Sequence, residues 1–113
     1  MSVLDKAKEH YKSSLAGGMK TIYVEEWDET IYFNPSANFA QQSKVMELHA
    51  KGKLTEALIE TVCVRCYTED GKRMFKQGDR EILMREVDPE VIVRIVSIIN
   101  GNDDAFTDAD LGN

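Results

Sequence analysis

Two cysteines in the middle of the chain, Cys63 and Cys66, have the C-x-x-C spacing found in redox enzymes and zinc sites. In redox enzymes the first thiol lies at a helix N-terminus, where the helix dipole and free N–H groups lower its pKa. Here both cysteines lie well inside a predicted helix on its apolar face, so we interpret them as small hydrophobic core residues. A zinc site needs two further ligands, and His10 and His49 lack the paired spacing of zinc ligands. The sequence therefore predicts no metal and no cofactor.

No other motif in the sequence indicates catalysis. The patterns of phosphate-binding loops, nucleophile elbows and zinc proteases are absent. Asp108 and Asp110 resemble the start of a calcium loop, but the closing glutamate of such a loop does not follow them. The acidic run at 25–29 falls in a predicted turn, where solvated charge is the ordinary explanation. We therefore predict that the protein is not an enzyme.

Length and charge narrow the class of protein further. The 113 residues predict one compact, mainly helical domain over residues 1–100, followed by a flexible acidic tail at 101–113. Four aspartates in this tail carry most of the net charge of −6, which leaves −2 on the body. No basic surface for nucleic acid is apparent, and neither a signal peptide nor an apolar run of about 20 residues occurs. We expect a cytoplasmic protein that binds neither nucleic acid nor membranes.

Hydrophobic periodicity predicts an α+β fold that is mainly α-helical, with about five helices and one β-hairpin near the N-terminus. The first helix covers 2–16, with Leu4, Tyr11 and Leu15 on its apolar face. A repeated Thr-Ile-Tyr-apolar pattern at 21–24 and 30–33 indicates the two strands of the hairpin at 21–33. Alternation along the strands predicts that four side chains form its inner face: Ile22, Val24, Ile31 and Phe33.

Capping residues predict where the next helices begin. The second helix is expected to begin at a cap supplied by Asn34 or Ser36. The third is expected to begin at Thr55, with Leu54 and Ile59 at the spacing of a hydrophobic staple.

A short helix over 79–86 is predicted to follow. Asp79 is its expected cap, and Ile82 and Leu83 are expected to face inward.

The last predicted helix, DPEVIVRIVSIIN at 88–100, begins with Asp88 as N-cap and Pro89 at the first helical position. Five apolar residues form one stripe along it: Val91, Ile92, Ile95, Val96 and Ile99. Val93 and Ile98 project away from the stripe, so the helix has more apolar surface than one core contact needs. Either the helix is central to its own core, or Val93 and Ile98 bind another protein. The isolated Phe106 and Leu111 of the acidic tail are further candidate contacts, although a tail without a role is an equal alternative.

Four stretches of the sequence resemble the tail assembly chaperones of lambda-like long-tailed bacteriophages. In chain order they are EEWDETIYFNP at 25–35, GKLTEALIETV at 52–62, EDGKRMF at 69–75 and LMREVDPEVIVRIV at 83–96. The resemblance assigns no role to the Cys63 and Cys66 pair.

The resemblance implies a helper protein of phage or prophage origin that is not part of the virion. Such a protein binds the tape-measure protein in the host bacterial cytoplasm, keeps that long helical protein soluble and brings tail-tube subunits to it. It also implies a longer form made by translational frameshifting near the end of the reading frame. The apolar side chains of Val93 and Ile98 would also serve self-association into a homo-oligomer. Two other classes stay open, namely a structural tail or head–tail component of the virion, and a redox or zinc protein that uses the two cysteines.

Overall fold

The computed structural model describes residues 2–101, and this range contains five α-helices and one antiparallel β-hairpin. The helices are α1 (Val3–Ala16), α2 (Phe39–Ala50), α3 (Leu54–Arg65), α4 (Arg80–Arg85) and α5 (Pro89–Ile99). The strands are β1 (Lys20–Val24) and β2 (Glu29–Phe33). The predicted α+β, mainly helical fold is therefore confirmed. The acidic tail from residue 102 onward, with Phe106 and Leu111, lies outside the described residues.

The hairpin has the inner face that its alternating sequence predicts. Ile22 on β1 pairs with Ile31 on β2 in antiparallel register. All four predicted inner side chains are buried: Ile22, Val24, Ile31 and Phe33. The strands are joined by a short 3-10 turn (Glu25–Trp27) that ends at Asp28. The φ of Asp28 is 48°, a left-handed conformation that aspartate tolerates better than most residues do.

The segment that follows α3 covers the other edge of β2. Tyr32 and Tyr67 exchange backbone hydrogen bonds, with N···O distances of 3.0 and 2.7 Å. The chain then turns at Gly71, whose φ is +81°, and the N–H of Met74 donates to the carbonyl oxygen of Cys66 at 3.0 Å. This pairing leaves β2 with fewer unsatisfied backbone groups than a free edge strand would have.

Helix α5 is the centre of the hydrophobic core. The side chain of Asp88 accepts a hydrogen bond from the N–H of Glu90 at 3.0 Å, and Pro89 is the first helical residue, as predicted. The whole predicted stripe is buried: Val91, Ile92, Ile95, Val96 and Ile99. These side chains pack with the inner face of the hairpin, with α3 and with Leu83 of α4 in one cluster. A smaller cluster of Val45, Leu48 and Ala57 joins α2 to α3.

The predicted start of α2 is wrong, because neither Asn34 nor Ser36 caps this helix. The cap is Asn38, whose side-chain oxygen accepts a hydrogen bond from the N–H of Gln41 at 2.9 Å. The side chain of Gln41 in turn accepts one from the N–H of Asn38 at 2.9 Å. This reciprocal pair satisfies two backbone donors at once, which neither earlier candidate achieves.

The predicted start of α3 is also wrong. The helix begins at Leu54, directly after Lys53, and Thr55 lies inside it without capping it. The N–H of Ala57 donates to the carbonyl oxygen of Lys53 at 3.0 Å, so the first turn of the helix closes on Lys53 and Thr55 is already helical. The predicted hydrophobic staple does not form, since Leu54 is 59% exposed.

Two apolar residues predicted to face inward are exposed. Leu83 is the buried residue of α4, whereas Ile82 is 49% exposed, because a helix of six residues presents only one side to the core. Asp79 belongs to a preceding 3-10 turn (Gln77–Asp79), where its carboxylate accepts from the N–H of Lys76 at 2.8 Å and makes no capping bond to α4. On α1, Leu4 is 66% exposed, and this helix contributes no buried residue.

Candidate protein-interaction surface

Val93 and Ile98, the residues of α5 predicted to bind another protein, are both partly buried. They are five positions apart, or about 140° around the helix, so they flank the buried stripe on opposite sides. Ile98 packs against the main hydrophobic cluster, and the exposed Arg94 lies on the side of the helix between the two residues. The structure therefore does not bring Val93 and Ile98 into one surface.

Ile98 lines a groove of about 590 Å³, which we call the terminal groove. The groove is formed by the start of β1, the end of β2, the segment that leads to α2, and the ends of α3 and α5. Its larger apolar lining residues are Phe33, Pro35, Ile98 and Ile99, and its charged lining residues are Lys20 and Arg65. The groove thus combines apolar surface with positive charge.

Arg65 brings a buried cation to the terminal groove. Its side chain is at the end of α3, and the residue is only 6% exposed. Its Nη2 donates a hydrogen bond to the carbonyl oxygen of Asn34 at 2.8 Å. Burial lowers the pKa of the Arg65 guanidinium, because it removes the charge from water. Within residues 2–101, Arg65 forms no ion pair with a carboxylate.

Further apolar surface lies on α2, α3 and α4. Its exposed large side chains are Phe39, Met46, Leu54, Ile82 and Met84. Met84 lines a second groove of about 330 Å³, together with Leu48 and Ile59. Three lysines also line this second groove: Lys44, Lys51 and Lys53. Three glutamates line the same groove as well: Glu56, Glu60 and Glu81. This surface therefore offers a protein partner apolar contacts beside charges of both signs.

One glutamate of the acidic hairpin turn has a structural partner. Glu26 accepts two hydrogen bonds from the guanidinium of Arg94, at 3.0 and 2.5 Å. These bonds hold the pKa of the Glu26 carboxyl below its usual value, because they stabilise the charged form. Nearby, the Tyr23 hydroxyl donates to Asp28 at 2.6 Å, and that bond raises the pKa of Tyr23. The turn is thereby attached to α5 and is not simply a group of solvated charges.

The two cysteines are free and buried, which confirms their interpretation as core residues. Cys63 lies in α3, whereas Cys66 lies just beyond its end, contrary to the predicted position inside the helix. Burial raises the pKa of both thiols, and that of Cys66 reaches about 12. A redox thiol needs the opposite shift. Across residues 2–101, no three side chains of His, Cys, Asp or Glu converge to hold a metal ion.

Comparisons with known proteins give a likeness in fold. No protein-family model matches the sequence, and no curated protein matches it. The solved structure of the bacteriophage HK97 tail assembly chaperone does match, over 84% of this chain and 98% of that one, with a TM-score of 0.55 and 15% sequence identity. This chain shares its fold with a phage tail assembly chaperone. The resemblance indicated by the four sequence stretches is thereby confirmed at the level of the fold.

No helix between residues 2 and 101 is both long and apolar enough to span a membrane. The sequence pattern of α5 identified Ile98 as a candidate contact residue. It gave no sign that Lys20 and Arg65 line the same groove. One usable signal was the high apolar content of residues 57–66, seven of ten, which is typical of a helix buried on most sides. A charge within such a run must be buried, and it then needs a partner.

Proposed function

We propose that this protein is a phage tail assembly chaperone. It binds the tape-measure protein during tail assembly and brings tail-tube subunits to it, in the host bacterial cytoplasm and without catalysis or a cofactor. The observation that carries the proposal is the fold shared with the HK97 tail assembly chaperone over most of both chains. The four sequence stretches, which cover the hairpin turn with β2, most of α3 and most of α5, support the same family.

The binding chemistry that we propose is helix-in-groove recognition. A long helical client exposes apolar stripes before it assembles, and a chaperone can cover them with apolar surface of its own. Ile98 in the terminal groove and Val93 on the opposite flank of α5 supply such contacts, and Phe106 and Leu111 extend them. Full burial of one such side chain contributes roughly 1.5–3 kcal/mol, so a few contacts are enough for a reversible complex. Self-association through the same residues is a second use that we propose for them.

Co-expression with the tape-measure protein of the same genome tests the proposal. We expect a larger soluble fraction of the client and a complex that co-elutes on size exclusion. Absence of a complex together with unchanged client solubility would contradict the proposed function.

Substitutions on α5 test the proposed contacts. Val93→Asp and Ile98→Asp should weaken the complex, while circular dichroism shows a folded protein, because both side chains are only partly buried. Val3→Asp is a matched control, since Val3 is 82% exposed and lies on α1, away from these contacts. Unfolding of both α5 variants would show that Val93 and Ile98 act only in the core.

Mass spectrometry of purified virions separates the chaperone from the structural alternative. A chaperone should be absent from mature particles, whereas a tail or head–tail component should be present in fixed proportion to the other tail proteins. Detection of the chain in particles at such a proportion would refute the chaperone role.

A further inference from the structure

The terminal groove contains a buried positive charge that the described chain does not neutralise. Arg65 is almost fully buried, and its Nη2 donates to an uncharged carbonyl oxygen, that of Asn34. The other strongly buried charge of α3, Glu60, accepts two hydrogen bonds from Arg80 at 2.9 and 3.0 Å. Removing a charge from water is unfavourable unless an opposite charge compensates it. The groove is therefore suited to a carboxylate.

The rest of the groove adds two requirements for its occupant. Lys20, at the start of β1, contributes a second positive charge, and none of the lining residues within 2–101 is Asp or Glu. Beside these cations lie the apolar side chains of Phe33, Ile98 and Ile99. A fitting occupant is an acidic peptide that carries an aromatic or aliphatic side chain within a few residues of its carboxylates.

The chain itself carries such a peptide immediately beyond the groove. Gly101 lines the groove and ends α5 in a left-handed turn, with a φ of +81° and its N–H donating to the carbonyl oxygen of Ile98 at 3.0 Å. Residues 102–113 follow, with no Lys or Arg and with Phe106 between two pairs of aspartates. An extended chain advances about 3.3 Å per residue, so Asp103 and Asp104 are within about 10 Å of Gly101.

We propose that the segment 102–113 binds in the terminal groove of its own protomer. Asp103 and Asp104 pair with Arg65 and Lys20, and Phe106 packs against Ile98. Because the segment is attached at the rim of the groove, its effective concentration is on the order of millimolar, which makes a weak contact sufficient. This inference goes beyond the proposed function, since it concerns a contact within one protomer and needs no client.

Solution NMR of the full chain tests the contact directly. We expect nuclear Overhauser contacts between the Phe106 ring and the methyl groups of Ile98, and we expect their loss in an Asp103→Asn/Asp104→Asn variant. The amide signals of Lys20 and Phe33 should shift in the same variant, although both residues are far from the substitutions in the sequence.

Two further variants make the experiment specific to the groove. Lys20→Gln should reproduce part of the effect, and it should fold because Lys20 is exposed. A Glu9→Gln/Glu56→Gln variant removes two exposed negative charges outside the groove and should leave the groove signals unchanged.

Two results would overturn the inference. One is identical groove signals in the wild type and the Asp103→Asn/Asp104→Asn variant, with no contact between Phe106 and Ile98. The other is a contact that weakens on dilution, because it would then come from a second copy of the chain. Both results concern contacts of the free protein, whereas the chaperone role is tested separately by co-expression with the client, so failure of one is distinguishable from failure of the other.

Discussion

The buried thiols allow a quantitative test of the core. Burial raises the pKa of Cys66 from its ordinary value of 9.0 to about 12. At pH 8 the thiolate fraction then falls from about 0.1 to about 10⁻⁴, and the thiolate is the reactive form. At this pH the thiolate fraction of native Cys66 is therefore about a thousand-fold smaller than that of an ordinary cysteine.

Access of reagent slows the reaction as well. Cys63 and Cys66 are 1% and 0% exposed, so a reagent reaches either sulfur only after the core opens. If opening costs about 5 kcal/mol, the lower end of the range for small domains, the reaction slows by a factor of roughly 10³–10⁴. We therefore expect both thiols to react at least a thousand-fold more slowly than a free cysteine.

The assay is reaction with a chromogenic disulfide reagent at pH 8, with and without concentrated guanidinium chloride. Two slow thiols in the native protein and two fast ones in denaturant are expected, and the Cys63→Ala and Cys66→Ala variants assign the phases. A thiol that reacts in the native state as fast as a free cysteine would refute the reasoning. Such a result, or zinc bound to the native protein, would favour the redox or zinc hypothesis instead.

Two further predictions concern the charged pairs. The pKa of Glu26 is lowered by Arg94, so the pair stabilises the fold fully above the carboxyl's ordinary pKa of 4.5 and loses this effect as pH falls through the lower folded value. Thermal melts of wild type and Glu26→Gln should differ at pH 7, and the difference should shrink as the pH falls below 4.5; a constant difference would contradict this. Arg80→Met leaves the buried Glu60 carboxylate unpaired, so it should lower the free energy of unfolding measured in urea by about 2 kcal/mol. This magnitude lies between the typical costs of breaking an exposed and a buried ion pair. Glu60→Gln combined with Arg80→Met should recover part of this loss, and an equal or larger loss would refute the explanation.

The hairpin and α5 could be predicted because their signals are local. Alternation at a period of two identified the inner face of the hairpin, and Ile22 and Ile31 indeed face each other. For α5, Asp88 and Pro89 specify the start, and the stripe at a 3.6-residue period specifies the buried side. Neither inference depends on knowing what lies across the core.

Helix starts were harder to predict where several residues could act as caps. Asn34, Ser36 and Asn38 are all good capping residues, and the reciprocal bonds between Asn38 and Gln41 decide among them. Whether the Ile82 side chain faces the core depends on which side of the six-residue helix α4 packs against α3. That tertiary contact leaves no local signal in the sequence.

The terminal groove could not be predicted from the sequence, because it combines residues from four separate parts of the chain. Lys20, Phe33, Arg65 and Ile98 each belong to a different element, and periodicity within one element does not show which element ends meet. Arg65 is the clearest case, since its apolar sequence neighbours can indicate that it is buried but not which elements surround it.

Helix α1 gives the molecule a part whose position has little effect on the stability of the core. Its fourteen residues include no buried side chain, and its Tyr11 hydroxyl reaches Gln41 of α2 by one long hydrogen bond of 3.4 Å. An isolated helix of this length is marginal in water, so its helical order rests on an N-cap at Ser2 and on few tertiary contacts. Amide hydrogens in α1 should consequently exchange with solvent sooner than those of α5, and this first helix can unfold locally while the rest of the fold stays intact.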